Sequence, residues 1–462
     1  QHYDLKERKS EDIMPADAFL IASKGDNMLY LSKSKWGVAE TGKKPEEDAF
    51  INTDQVQVKI NPLAEWPNIF EEAWRVNRDY FYDPGMHGAD WGSMKEKYAV
   101  FLPDLSCKSD LYRVMEWMFS ELAVGHHRFG SMGDKLHTAK NIEGGLLGAD
   151  YEVVNNLYRI KKIYGGLNWT PELRSPLTEP GVEIEVGDYI LEVNGQEVTA
   201  EDNFYKFFEN SAEKITELLI SPTPNKANAR KVTVTPLSSE QGLRNRDWVE
   251  GNMRKVHQAT DGRVAYVYVP NTTSLGHEYF KRYFFPQANK EAIIVDERFN
   301  GGGQLADYYI DMLKRPVQSF WNYRYGQDQK APNASIQGPK VLITDETAGS
   351  GGDYFPYLFR QAELGPIIGK RTWGGLVGVL GFPEFIDGGS VTAPNLAFYD
   401  ERGFAIENEG VAPDIEVEQW PSEVIQGKDP QLEKAIEVIL KQLEENPPTK
   451  TTTPPYPNRV TQ

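Results

Sequence analysis

A serine set between glycines, in Asp345-Glu-Thr-Ala-Gly-Ser-Gly-Gly-Asp-Tyr-Phe-Pro356, is the place in this chain where residue types and spacing suit covalent chemistry. It follows Val341-Leu342-Ile343-Thr344, an apolar run bounded by Gly338-Pro339 that reads as a buried strand. Tyr354 to Arg360 then carries the apolar spacing of a helix start. Ser350 therefore falls at a sharp strand-to-helix turn, where Gly349 and Gly351 permit backbone angles that side chains forbid. The amides of the first helical turn point toward developing negative charge. Taken alone, G-S-G-G is also the composition of a glycine-rich turn with a capping serine. A nucleophile needs partners from elsewhere in the chain.

Three groups are candidates. His126 stands just past the clearest helical period, Leu111, Val114, Met115, Met118, Phe119 and Leu122, which Ser109 would cap and Gly125 would end. A histidine so placed can serve as a base. Asn300-Gly301-Gly302-Gly303 ends a strand and opens a helix, so its amides can cradle an anion. No Lys-Ser/Thr pair follows, as a phosphate loop needs, and the spacing fails G-x-G-x-x-G. An oxyanion hole formed with the amide of Gly351 fits better, provided both loops lie at one sheet edge. Glu407, in Ala405-Ile-Glu-Asn-Glu-Gly-Val-Ala-Pro-Asp414, is a candidate orienter of the base, although an isolated glutamate is ordinarily a solvated surface residue. His126 and His127 are adjacent and no H-x-x-x-H or H-E-x-x-H occurs, so neither a metal nor another cofactor is expected.

The elements that must position these groups are spread over 462 residues, enough for roughly three domains. A hydrophobic content of 40%, with 12% aromatic, supplies packed cores, and a net charge of −18 argues against nucleic acid and anionic membrane surfaces as partners. The single cysteine, Cys107, excludes an intrachain disulfide, and no apolar run approaches a membrane span of roughly 18 residues. The first residues show neither an initiating Met nor an apolar signal region, as in a processed or excised piece.

Residues 1–60 read as a β-rich segment, with a hairpin turning at Lys24-Gly-Asp-Asn27 and a closing strand at Asp54–Ile60. Residues 61–135 read as helical. Trp66, Phe70, Ala73, Trp74, Asn77 and Phe81 lie along one side of a first helix, and Asp90 caps a second. Residues 140–238 form a β-rich module in which Asn194-Gly195 signals a type I′ turn, and Phe204, Phe207 and Phe208 mark a helix. From 242 to 445 strands and helices alternate, as in a layered α/β sheet with loops gathered at one edge, and a Pro/Thr-rich tail fills 446–462.

Two resemblances follow. Val186-Gly-Asp-Tyr-Ile-Leu-Glu-Val-Asn-Gly195 and its surroundings resemble a PDZ module. That resemblance implies a groove receiving an extended peptide or C-terminus by strand addition, with Gly145, Leu146, Leu147 and Gly148 in the loop that would hold a carboxylate. The order G-H, PDZ-like module, R-F-N-G-G-G, A-G-S-G-G-D-Y-F-P, K-R-T-W-G-G-L-V-G and E-N-x-G-V-x-P-D is similar, from about residue 61 to 443, to the tricorn protease family, relatives of the tail-specific serine peptidases. The resemblance implies a catalytic half with a crotonase/ClpP-like α/β domain, preceded by the junction to an upstream β-propeller. It implies Ser350 as nucleophile, His126 as base, Glu407 completing the relay, and Gly301, Gly302, Gly303 and Gly351 around the substrate carbonyl.

Two departures carry consequences. The archaeal type member has a serine directly before its histidine and an acidic residue directly after its nucleophile, where this chain has Gly125 and Gly351. The first leaves Glu407 to reach His126 directly, through water or through another hydroxyl. The second implies an uncharged pocket, walled by Gly374-Gly-Leu-Val-Gly378, that prefers medium-sized or apolar residues.

The expected protein is a multidomain α+β serine peptidase acting on peptides or unfolded polypeptides without a cofactor. The alternatives are an inactive PDZ-containing peptide-binding scaffold and, less well supported, a crotonase-like acyl-thioester enzyme. The family analogy implies a cytoplasmic, homo-oligomeric protein, although export is compatible with the same residues.

Overall fold

A computed structural model describes the chain apart from residues 47–49, 54, 134–138, 449–450 and 461–462. It divides into two compact units, residues 1–66 and 67–462. Mixed helix and sheet with a β-rich N-terminal region is the architecture the sequence implies. The boundary expected between 135 and 140 falls largely outside the described residues.

In the first unit, strands Ala18–Ile21, Asn27–Ser32 and Lys35–Glu40 form an antiparallel meander, with Gly25 at φ 79° in the expected turn. A small hairpin, His2–Asp4 with Lys9–Glu11, precedes it. The closing strand expected at Asp54–Ile60 is a correction. Asp54 lies outside the described residues, and 55–60 contain no strand, with Val56 and Val58 exposed. Apolar alternation selects a face only when a neighbouring strand supplies hydrogen bonds.

Three helices follow, Pro62–Tyr80, Trp91–Ala99 and Lys108–Ser120. Asp90 caps the second by accepting from Ser93 N at 3.1 Å. The third buries Leu111, Val114, Met115, Met118 and Phe119, as their period requires. Its cap position belongs to Cys107 and not to Ser109, because the Asp110 carboxylate reaches back to the amides of Ser106 and Cys107 at 3.1 and 3.2 Å. It ends at Ser120, and Ala123 (φ 50°), not Gly125, takes the left-handed conformation beyond it.

The next module is an antiparallel sheet in the order Arg230–Val234, Thr216–Ser221, Tyr189–Val193, Leu157–Ile163, Ala149–Val154. Asn194 and Gly195 both have positive φ, 51° and 76°, as a type I′ turn demands. Phe204–Phe208 is a short 3₁₀ helix closing the core over Ile160, Ile190, Leu218 and Ile220.

The helix Gln241–Ala259 leads into five parallel strands, ordered Val264–Tyr268, Ala292–Asp296, Lys340–Thr344, Ile367–Gly369, Ile415–Glu416. The first three are buried along their whole length, the pattern of a sheet covered on both faces. The loops beginning at Glu297 and Asp345 therefore leave neighbouring strands at the same carboxyl edge. Sequence periodicity did not single out Gln241–Ala259, because Asn252 interrupts its buried stripe of Leu243, Val249 and Val256 and bonds to the Tyr266 hydroxyl at 3.3 Å. Among the described residues no helix is long and apolar enough to cross a membrane.

The last helix, Pro430–Glu445, is tied to the sheet by a buried ion network. Arg298 gives Nη2 to Asp296 Oδ2 at 2.7 Å and Nη1 to Asp429 Oδ1 at 2.7 Å, and Asp429 caps the helix through Leu432 N at 3.1 Å. All three side chains are buried. Arg298→Ala strands two carboxylates without their counter-charge, so it is expected to cost about 3–5 kcal/mol of unfolding free energy. Arg298→Lys, which cannot fork between both, should recover only part of that loss. Urea unfolding midpoints of the three proteins check this, and an unchanged midpoint for the alanine variant would refute it.

Candidate active site

Ser350 begins the helix Gly351–Gln361 with φ 57° and ψ −116°, a backbone conformation that a non-glycine residue holds only under constraint. The constraint comes from backbone contacts. Ser350 N donates to Gly375 O at 3.0 Å and to Asp353 Oδ2 at 2.9 Å. The fully buried Asp353 carboxylate also accepts from Gly374 N at 2.8 Å and Gly375 N at 3.0 Å. Burial pushes its pKa up, while the Thr372 hydroxyl and these amides pull it down.

The glycine loop meets Ser350 as the common sheet edge requires. A Cβ on Gly302, at φ 84°, would stand 2.7 Å from Ser350 Cβ and 3.1 Å from Gly351 N. The amides expected to bind a substrate oxygen are, in part, already committed. Gly301 N donates to Pro270 O at 3.0 Å and Gly302 N to Asn300 Oδ1 at 2.9 Å. A buried amide takes the nearest acceptor, so these two shape the wall instead of presenting free donors.

His126 is 8% exposed and shares with Ser350 a cavity of about 510 Å³ that is also lined by Arg128, Glu346 and Trp373. Its carbonyl accepts from Thr392 Oγ1 at 2.6 Å, and its ring centroid lies 5.1 Å from that of Trp373. Nδ1 is buried and accepts or donates no bond among the described residues. Burial holds the imidazole below the ordinary histidine range, Arg128 lowers it further and Glu407 pulls it back. His127 turns the other way. It stacks between Phe81 and Phe119 and places Nε2 2.8 Å from Asn77 Oδ1, and burial lowers its pKa to about 4.

Glu407 comes to the loop of His126 but not to its ring, which corrects the direct relay. Its Oε1 accepts from Gly125 N at 2.8 Å, and Oε2 accepts from Leu376 N at 2.7 Å and Val377 N at 2.8 Å. Three amides engage both oxygens. Asn408 adds a second tie, Nδ2 to Ala123 O at 2.8 Å.

Each departure at a glycine has a neighbour that explains it. A Cβ on Gly125 would lie 2.9 Å from Trp373 Cζ2, and one on Gly351 would lie 2.0 Å from Thr272 Oγ1 and 2.4 Å from Gly303 O. The expectation of an uncharged pocket also needs correction. The Gly374 and Gly375 amides are spent on Asp353, and the cavity beside Ser350 is lined by the charged Arg128 and Glu346. Arg128 lies over the Trp373 ring at 5.3 Å. Trp373, Thr392, Thr272, Arg128 and Glu346 were all missed from the sequence. Arg128 alone left a signal, standing two residues beyond His126 and so on the same side of an extended segment.

The loop expected to hold a peptide carboxylate is also committed. Gly145 N donates to Phe208 O and Leu146 N to Leu237 O, both at 2.8 Å, while Leu147 is buried in the core. Gly148 N donates to Glu240 Oε2 at 2.9 Å. The nest is filled from within.

Residues 263–417 match Peptidase family S41, residues 145–239 the tricorn protease PDZ domain and residues 62–120 the tricorn protease C1 domain. The parallel sheet and the loops at its carboxyl edge thus have the fold of the S41 peptidases. The chain is 35% identical, over 92% of its length, to a putative tricorn-like protease C-terminal subunit of Sulfurisphaera tokodaii, covering 49% of that protein. It is 30% identical, over 96% of its length, to the tricorn protease of Thermoplasma acidophilum, covering 41%. A crystal structure of the tricorn protease aligns with a TM-score of 0.88 at 30% identity, over 96% of this chain and 43% of that one. The chain thus matches the PDZ and C1 domains of the tricorn protease together with Peptidase family S41, and it spans about half the length of the curated relatives it matches.

Two outcomes follow from the geometry. Glu407→Gln replaces one acceptor oxygen by an NH₂ donor facing backbone donors, so it should destabilise the loop by about 1–3 kcal/mol and lower kcat more than it raises KM. Unfolding midpoints and steady-state kinetics with one peptide check this, and an unchanged kcat would refute it. His127 binds a proton in the unfolded chain near pH 6.5 but in the fold only near pH 4. The unfolded state holds more protons between those values, so the stability present above the upper value is lost as pH falls toward the lower. About 2 kcal/mol should disappear between about pH 7.5 and about pH 5. His127→Gln, which does not titrate, should flatten that portion of the profile measured by urea unfolding, and an unaltered slope would contradict the assignment.

Proposed function

We propose that this chain hydrolyses peptides and unfolded polypeptides through an acyl-enzyme on Ser350. The observation that carries the reading is that Ser350, held at a strained strand-to-helix turn, and the buried His126 line one cavity. Ser350 Oγ attacks the peptide carbonyl carbon as its proton passes to the His126 imidazole. The Gly351 amide, at the start of a helix, receives the developing oxyanion, while Gly301, Gly302 and Gly303 shape the wall beside it. The tetrahedral species collapses, the amine leaves with the proton from His126, and the acyl group stays on Ser350. Water then gives a proton to His126, attacks the acyl carbon and releases the acid, and the proton returns to Ser350. Glu407 acts as a positioning residue, fixing the loop that carries His126.

The division into a segment at 1–60, a helical domain at 61–135, a PDZ-like module at 140–238 and a catalytic domain at 242–445 belongs to the same proposal, as does assembly into a homo-oligomer. The lowered proton affinity of His126 supports the base role, because it keeps the ring neutral near neutral pH.

The test is labelling with a fluorophosphonate and hydrolysis of a mixed peptide library followed by mass spectrometry. Ser350→Ala should abolish labelling and lower kcat by about 10⁴-fold or more, and His126→Ala should approach that loss. His127→Ala should act through stability and leave labelling in place. Near-normal turnover in purified Ser350→Ala would rule out the serine mechanism. Unlabelled, inert parent protein would favour the inactive peptide-binding scaffold.

A further inference from the structure

A module that reads a peptide's free C-terminus needs unspent backbone N–H groups where the carboxylate arrives. Here that place is taken by Glu240, 9% exposed, immediately before the helix Gln241–Ala259. Its Oε2 accepts from Gly148 N at 2.9 Å, and its Oε1 accepts from Arg244 Nε at 2.7 Å. Arg244 is itself divided, giving Nη1 to Asp150 Oδ1 at 2.8 Å. The amides of Gly145 and Leu146 are paired with carbonyls. An incoming carboxylate would meet a like charge, with the amides of Gly145, Leu146 and Gly148 already bonded.

The sheet edge beside the cradle is open. Ala149–Val154 is the terminal strand of its sheet and, among the described residues, pairs only with Leu157–Ile163. Its outward N–H and C=O groups can accept another extended strand. A groove of about 480 Å³ runs along it, lined by Asp150, Tyr151, Tyr158, Lys161, Phe204 and Tyr205. Tyr151 packs 4.2 Å from Phe204, and the Tyr158 hydroxyl is fixed to Asp202 O at 2.7 Å, so the floor is aromatic and rigid. Asp150 shares Arg244 with Glu240, whereas Lys161 is exposed and has no ion-pair partner among the described residues. Lys161 thus offers the groove a cation with which an incoming acidic side chain can pair.

We propose that this module takes up interior stretches of extended polypeptide bearing an acidic side chain, and that Glu240 excludes free C-termini from it. The inference deepens the peptidase proposal and rests on it only for the source of the polypeptide. A stretch held by its backbone along Ala149–Val154 would be an unfolded substrate gripped away from its end.

The experiment uses the full chain with Ser350→Ala, so that nothing is cut. Peptides of about ten residues, with a central Glu among apolar positions, are made as free acids and as C-terminal amides. Calorimetry gives Kd, and hydrogen exchange reports on residues 149–154. Both forms should bind within about twofold of each other, and both should slow exchange in that strand. Adding Glu240→Ala frees the Gly148 amide and Arg244, and should create a preference for the free acid of about tenfold. Adding Lys161→Glu should weaken both forms by about fivefold or more. A tenfold preference for the free acid before Glu240 is changed, or unaltered exchange in 149–154 with either form, overturns the proposal, and neither measurement depends on the variants folding. Failure to gain that preference in a folded Glu240→Ala protein overturns the blocking role of Glu240, and unchanged binding in Lys161→Glu overturns the acidic preference. Because hydrolysis is not read, a negative result leaves the peptidase proposal standing, and loss of that proposal would leave the binding result intact.

Discussion

The Asp353 carboxylate is the constraint on which the candidate site depends. From full burial it gathers the amides of Ser350, Gly374 and Gly375. The next two residues, Leu376 and Val377, turn their amides to Glu407, whose other oxygen holds Gly125, the residue before His126. Two carboxylates and six backbone N–H groups thereby link the serine loop to the histidine loop. Charge-assisted bonds of this kind are stronger than neutral ones and are weakened little by solvent when buried. The strained Ser350 backbone persists because so many partners specify it at once.

Close packing explains why glycine recurs around this linkage. Trp373 occupies the space beside Gly125 and overhangs Gly349, and Thr272 occupies the space beside Gly351. The loops at the sheet edge approach one another through backbone, leaving the Ser350 and His126 side chains to a cavity that carries one cation, Arg128, and one carboxylate, Glu346. A charged residue directly after Ser350 would require Thr272 and Gly303 to move. The charge around the cavity therefore comes from Glu346, earlier in the loop of Ser350, and from Arg128, just beyond His126.

The same principle, a polar group satisfied from within, governs the PDZ-like module. Its loop has the composition of an anion nest, yet Glu240 is the anion. Since Glu240 adjoins the helix that leads into the first parallel strand, the contact also fastens the module to the root of that helix.

The sequence by itself determined the elements whose signal is local. Leu111 to Phe119 specify a helix through their period, Asn194-Gly195 a turn through positive φ, and Ile293 to Val295 and Val341 to Ile343 buried strands through unbroken apolarity. The strand-turn-helix placement of Ser350 and the two loops at one sheet edge were legible for the same reason. Where the outcome depended on a distant competitor, the sequence misled. Cys107 displaced Ser109 as cap, and Val56 and Val58 found no strand to pair with. Pro270 and the Asn300 side chain claimed the glycine-loop amides, and three amides claimed Glu407 before any imidazole could. Only the tertiary structure decided those pairings. A local conformation follows from a residue and its neighbours, whereas the partner of a buried donor or acceptor is whichever group the folded chain brings within about 3 Å.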